Sequence, residues 1–242
     1  MDHSSAPTTG RRRSQRWRSA WLTLGVPAGV LVILTVNVLA HGPLIGVDQR
    51  IRANVQALAS SHAWHWLGGP AGLIINLAQP SVAVPVLLVS ALAVSARRRS
   101  LRPLCTAAVA IILLVVTVIP GKILIGRLAP GQLRLAPDGW GAFPSGHATT
   151  SSVCYVLAVL PLLPYLPALM RRAALAALPV WCLLIGAALV WCNYHWFTDV
   201  AAGWALAAII IQLTLWLTRE AYSGLSTPPG VPDERIASPS TT

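Results

Sequence analysis

Six apolar stretches, each roughly 16–24 residues long, recur along this 242-residue chain. That is close to the length a helix needs to cross ~30 Å of hydrocarbon at 1.5 Å per residue. They fall at about residues 20–40, 71–94, 104–119, 148–163, 173–191 and 200–217. The predicted fold class is therefore all-α: a polytopic membrane protein built as a six-helix bundle. Composition agrees, with 55% hydrophobic residues, 10% charged residues and a mean hydropathy of +0.64. A soluble domain carries about a quarter charged residues, and this chain has too few to face water on all sides.

The net charge of +11 does not indicate nucleic acid, because the basic residues are not interleaved with aromatics in a soluble patch. They sit in short clusters between apolar segments, where a topology signal belongs. The four cysteines, Cys105, Cys154, Cys182 and Cys192, form no CxxC pair and lie in or beside apolar segments. They are read as packing residues, and neither a zinc site nor a disulfide framework is indicated. Residues 1–18 form a Ser/Thr/Arg-rich tail expected to be disordered, 19–220 the membrane domain, and 221–242 a second disordered tail. The first apolar segment is long and lacks a clear cleavage site, so it is read as a retained membrane helix. Pro80 and Pro85 interrupt the second segment, which is tolerable where neighbouring helices satisfy freed backbone groups. The less apolar stretch 41–70, with Asp48, Arg50, Arg52 and Trp64, is read as an interfacial helix or a loop.

Arginines precede the first segment and lie between the second and third (Arg97, Arg98, Arg99, Arg102), between the fourth and fifth (Arg171, Arg172), and after the sixth (Arg219). Six crossings put all these clusters on one side, which the positive-inside rule makes cytoplasmic, with both termini. The loops containing Lys122–His147 and Tyr194–Asp199 then share the outer face of a plasma (inner) membrane.

Three segments on that face are unusual for so apolar a chain. In Gly121-Lys122-Ile123-Leu124-Ile125-Gly126-Arg127, the two cations are either snorkelling side chains at a helix end or partners for an anion. In Phe143-Pro144-Ser145-Gly146-His147, Ser145 is a candidate N-cap. The same turn can direct free N–H groups and the positive helix end at a phosphate, with His147 beside it as a proton donor. In Tyr194-His195-Trp196-Phe197-Thr198-Asp199, i,i+4 spacing puts a carboxylate under one imidazole nitrogen. Either the pair satisfies two buried polar groups, or it presents the other nitrogen as a base or nucleophile. An Asp at a membrane helix end is costly, which favours function. There is no better-spaced Ser-His-Asp set and no carboxylate cluster suited to magnesium, so no metal and no cofactor are expected. The combination specifies phosphoryl transfer.

These segments resemble the type-2 phosphatidic acid phosphatase superfamily, which includes bacterial lipid phosphate phosphatases and shares its site with vanadium haloperoxidases. The resemblance covers roughly residues 104–217. Of the first motif (lysine, six residues, Arg-Pro), Lys122 and Pro130 match, and Ala129 stands at the arginine position. Pro-Ser-Gly-His matches completely at Pro144, Ser145, Gly146 and His147. Of the third motif (Ser-Arg, five residues, His, three residues, Asp), His195 and Asp199 match, with Ala188 and Leu189 at the Ser-Arg positions. The resemblance implies that His195 attacks phosphorus to give a phosphohistidine, Asp199 orients it, and His147 protonates the leaving oxygen. It also implies that Lys122, Ser145 and Gly146 hold the phosphate of a membrane lipid phosphate or prenyl diphosphate. With both family arginines absent, Arg127 is the natural substitute for one, and Arg134 or Asn193 for the other. A noncatalytic lipid-phosphate binder and a phosphotransferase remain as alternatives. A transporter is disfavoured, because the polar residues gather at one face and not at mid-membrane.

Overall fold

The computed structural model describes residues 9–135 and 139–223, with side chains from residue 23 to 219. Among the described residues, eight helices carry the fold: α1 (Thr9–Leu39), α2 (Leu44–Ala59), α3 (Gly68–Ala78), α4 (Pro80–Arg98), α5 (Arg102–Ile125), α6 (Gly146–Val159), α7 (Ala168–Trp191) and α8 (Phe197–Ser223). Short 3₁₀ turns at His65–Leu67 and Leu160–Tyr165 complete the connections. The all-helical polytopic fold expected from hydropathy is present. Among the described residues, five spans, including the α6 segment extended to Tyr165, are long and apolar enough to cross a membrane, and the bent pair of residues 23–39 and 44–59 brings the number to six when taken as one broken span.

The structure changes three boundaries. α1 begins at Thr9, so part of the stretch expected to be a disordered tail is helical. Residues 1–8 and 224–242, where the rest of both expected tails falls, lie outside the described residues. The stretch 41–70 contains a true helix, α2, bent 87° from α1. At that corner His41 takes a positive φ of 50°, and the Asn37 side chain accepts from Leu44 N at 3.1 Å, starting α2. The expected single span over 71–94 breaks at Gln79. The ring of Pro80 clashes with a helical residue before it, and Gln79 is accordingly extended, with ψ 145°. Pro80 then sits at the start of α4, where its missing N–H costs no helical bond.

α6 is the central helix. It packs against α4 and α8 most extensively, and also against α5, α7 and α3. Its facing residues are small (Ala148, Thr149, Thr150, Ser151, Ser152), which lets backbones approach closely where no hydrophobic effect drives helices together in lipid. Their hydroxyls are partly satisfied within the helix, as in Thr149 Oγ1 to Ser145 O at 2.8 Å and Ser151 Oγ to His147 O at 2.6 Å. Across helices, Ser90 donates to Ala158 O and Tyr155 to Leu77 O, each at 2.6 Å. α4 buries Ala83, Leu87, Ala91 and Val94, and α5 buries Ala107, Ala110, Leu114 and Val118. The opposite faces expose Leu88, Val89, Leu92, Ile112, Val115 and Val116, as lipid contact requires.

α8 and the start of α6 approach closely at Gly203. A Cβ on Gly203 would stand 2.9 Å from the Ser145 carbonyl oxygen and 3.1 Å from Ala148 Cβ. Gly203→Val is therefore expected to lower stability by about 1–3 kcal/mol through overpacking. Thermal unfolding in detergent checks this, and an unchanged Tm would mean the two helices can separate without loss.

Candidate active site

Four elements meet at the end of the bundle remote from Arg98 and Arg102. α5 delivers Lys122 in its last turn and stops at Gly126, whose φ of 57° suits the left-handed residue that closes a helix. The chain returns along its own exit: Gly141 N bonds Lys122 O at 3.2 Å and Ala142 N bonds Arg127 O at 2.7 Å. Only glycine fits at 141, since a Cβ there would lie 2.7 Å from Arg127 N. Lys122 Nζ donates to Gly141 O at 2.8 Å, and a Cβ on Gly146 would be 3.1 Å from Lys122 Cε. Gly146 thus lets the lysine lie against the N-terminus of α6, where the helix dipole already favours an anion.

His147 and His195 face one another with ring centroids 6.1 Å apart, and Tyr194 lies edge-on to His147 at 6.4 Å. Lys122, Gly146, His147, Thr150, Trp140 and His195 line the polar end of one cavity of about 450 Å³. The remaining walls are Pro80 and Val84 from α4 and Ile111, Leu114, Val115, Val118 and Ile119 from α5.

His195 is 7% exposed, and its Nδ1 lies 3.6 Å from Asp199 Oδ2. That is ion-pair distance but too long for a hydrogen bond, and Nδ1 has no other partner. Asp199 is fully buried and held from two sides: Oδ2 accepts from Trp196 N at 3.1 Å, and Oδ1 accepts from Arg127 Nη1 at 2.5 Å.

Two residues expected to hold phosphate are engaged otherwise. Ser145 is fully buried and caps α6, its hydroxyl accepting from Ala148 N at 3.3 Å, and it does not line the cavity. Of the two readings of that turn, its side chain follows the capping one. Arg127 does not line the cavity either. Its Nη2 bonds Asp48 Oδ2 at 2.6 Å, its Nη1 bonds Thr198 Oγ1 at 2.7 Å as well as Asp199, and its guanidinium sits 5.3 Å over the Trp196 ring. The guanidinium fork thus meets carboxylates of the protein. The weaker candidates fare no better. Asn193 bonds Arg52 Nε at 2.9 Å and Pro130 O at 3.3 Å, and Arg134 is exposed outside the cavity. Leu189, at the family arginine position, is fully buried among Ala71, Ile75, Ile185 and Val200.

Asp48 had no role in the sequence analysis, yet it is 1% exposed and accepts from Thr198 N at 3.0 Å, Thr198 Oγ1 at 2.5 Å and Arg127. The available signal was a lone acid within Leu44-Ile45-Gly46-Val47-Asp48, which helical spacing cannot join to residues 79 and 150 positions away.

No characterised protein sequence matches the chain at a significant level. Its fold is similar to a transmembrane PAP2-type phosphatidylglycerolphosphate phosphatase from Bacillus subtilis. The TM-score is 0.66 and the identity 20%, over 80% of this chain and 96% of that one. Residues 103–223, half of the sequence and all three motif segments, match the family model of the PAP2 superfamily. The chain is thus a member of the PAP2 superfamily.

Proposed function

We propose that this protein is a metal-independent phosphatase of a membrane lipid phosphate or prenyl diphosphate, working through a phosphohistidine at the outer face of the plasma membrane. The observation that carries this reading is the cavity itself. A cation and two imidazoles close one end, and apolar side chains of α4 and α5 form the rest. Its volume of about 450 Å³ lies within the ~300–1,000 Å³ common for small-molecule sites. A phosphate at Lys122 and Gly146 would leave its attached chain among Val84, Leu114, Val115 and Val118, surroundings suited to a lipid and wasted on a soluble phosphate ester.

In this reading His195 Nε2 attacks phosphorus while Nδ1 keeps its proton toward Asp199. The bond from phosphorus to the leaving oxygen breaks, and His147 donates the proton that oxygen takes up. His147, now neutral, takes a proton from water as that water attacks the phosphohistidine, which returns both histidines to their starting states. The outer-face assignment rests on the arginines at the opposite end of α4 and α5 and the positive-inside rule.

A second reading, a lipid-phosphate binder without turnover, is favoured by the buried Leu189 and the commitment of Arg127 to carboxylates. Sealed right-side-out vesicles carrying the full chain distinguish the two. Externally supplied lipid phosphates should release inorganic phosphate, and EDTA should leave the rate within about twofold, because Asp48 and Asp199 are already taken up by Arg127. Binding without release supports the second reading. Loss with EDTA and recovery with magnesium would remove the proposed mechanism.

A further inference from the structure

Asp48 lies on α2, far upstream of the residues 103–223 that match the family, and no feature of the motifs assigns it a role. We propose that Asp48 is a positioning residue for the phosphoryl-transfer step: it holds Arg127 and the first turn of α8, and its charge supports a positive ring on His195. This rests on the phosphatase reading above.

The geometry runs in one chain of contacts. Asp48 Oδ1 takes Thr198 N, and Oδ2 takes Thr198 Oγ1 and Arg127 Nη2. Arg127 Nη1 reaches Asp199 Oδ1, and Asp199 Oδ2 faces His195 Nδ1. The position of Asp199, and through it the aim of the imidazole, is therefore tied to a helix that lends no residue to the cavity wall. Burying three ionised groups is costly, and a cluster of this kind persists where its geometry and bonds offset the desolvation.

The charges add a second argument. Asp48 and Asp199 bring two negative charges to one guanidinium, so the trio carries a net charge of minus one beside His195. When Nε2 bonds phosphorus and Nδ1 keeps its proton, the ring becomes cationic. The excess negative charge stabilises that positive charge in a buried setting, where charges act strongly on each other. With Asp48 neutral, Arg127 cancels Asp199 and the ring charge has no counterpart. A merely structural Asp48 would matter for folding but would not favour one state of His195.

The test uses the full chain in detergent with Asp48→Asn and Thr198→Val. Thr198→Val deletes the hydroxyl contacts to Asp48 and Arg127 but keeps every charge. Asp48→Asn is expected to lower kcat by about thirtyfold or more with KM within about threefold, and to weaken orthovanadate binding at least tenfold, since vanadate on His195 mimics the transition state. Thr198→Val is expected to lose about fivefold or less. If an active enzyme keeps kcat within about threefold in Asp48→Asn, or if Thr198→Val loses as much as Asp48→Asn, the positioning role is overturned and the phosphatase reading stands. If the wild type hydrolyses no lipid phosphate but binds vanadate, and Asp48→Asn weakens that binding, the phosphatase reading falls and the role of Asp48 stands. A wild type that neither turns over nor binds vanadate overturns both. Should Asp48→Asn fail to fold, Asp48→Ser carries the same comparison.

Discussion

His195→Gln is expected to lower kcat by at least about a thousandfold while the protein still folds and binds lipid phosphate. The argument begins with position. Asn193 adopts φ 60°, Tyr194 N bonds Leu189 O at 2.9 Å, and Asp199 in the first turn of α8 caps Trp196 N. Together these turn the chain so that the imidazole faces His147 across the cavity end. Glutamine fills similar space and still offers polar atoms to the anion, so binding should persist. It has no lone pair able to form a stable bond to phosphorus, so the covalent route is closed, and loss of a covalent nucleophile removes several orders of magnitude. Radiolabelled lipid phosphate should mark the wild type with an acid-labile phosphate and leave His195→Gln unlabelled. Retention of more than a tenth of wild-type kcat would make His195 a bystander and remove the phosphohistidine from the mechanism.

Arg127→Ala is expected to cost about 3–5 kcal/mol of stability and to lower kcat/KM at least tenfold. The larger effect comes from what would be left behind. Asp48 and Asp199 have fully buried side chains, and removing the guanidinium strands two like charges with only Thr198, Trp196 N and the His195 ring beside them. Breaking a buried ion pair from one side costs this much because the remaining charge stays desolvated. Arg127→Lys should recover little, because one ammonium cannot serve Asp48 through one nitrogen and Asp199 with Thr198 through another. Thermal unfolding and steady-state kinetics on the same preparations decide the role. A raised KM with unchanged Tm would put the guanidinium on substrate phosphate after all.

The fate of Arg127 marks where sequence reasoning stops. Helices were legible because hydrocarbon imposes a minimum apolar length and internally paired backbone, so each span announces itself locally. Lys122, His147 and His195 were legible for a related reason: helix parity puts their loops at one end, and the i,i+4 spacing of His195 and Asp199 is local. Arg127 was expected on phosphate because it lies two positions before Ala129, where the family carries an arginine. Its actual partners arrive from α2 and α8, and no periodicity links those to the loop after α5. Ser145 shows the milder case, in which capping and anion binding use the same residue type at the same place, and only the Ala148 N contact separates them. The break at Gln79 was half visible. Pro80 is plain in the sequence, but pre-proline sterics end the helix at Gln79 where apolar continuity predicts one span.

The bonds from Ser90 to Ala158 and from Tyr155 to Leu77, with Asp48 behind Arg127, bear on modularity. The family-matching half, residues 103–223, reads like a catalytic unit with an anchor in front of it. Physically it is no such unit. α4 supplies a wall of the cavity, α3 carries the carbonyl that receives Tyr155, and α2 supplies a counter-charge. A chimera that grafts the N-terminal half of a relative onto this chain would exchange part of the cavity wall and one partner of the buried ion pairs, so compatibility between halves must be inherited as a set. The half in front of the motifs is then a place where new substrate preferences can evolve without any change to the motifs.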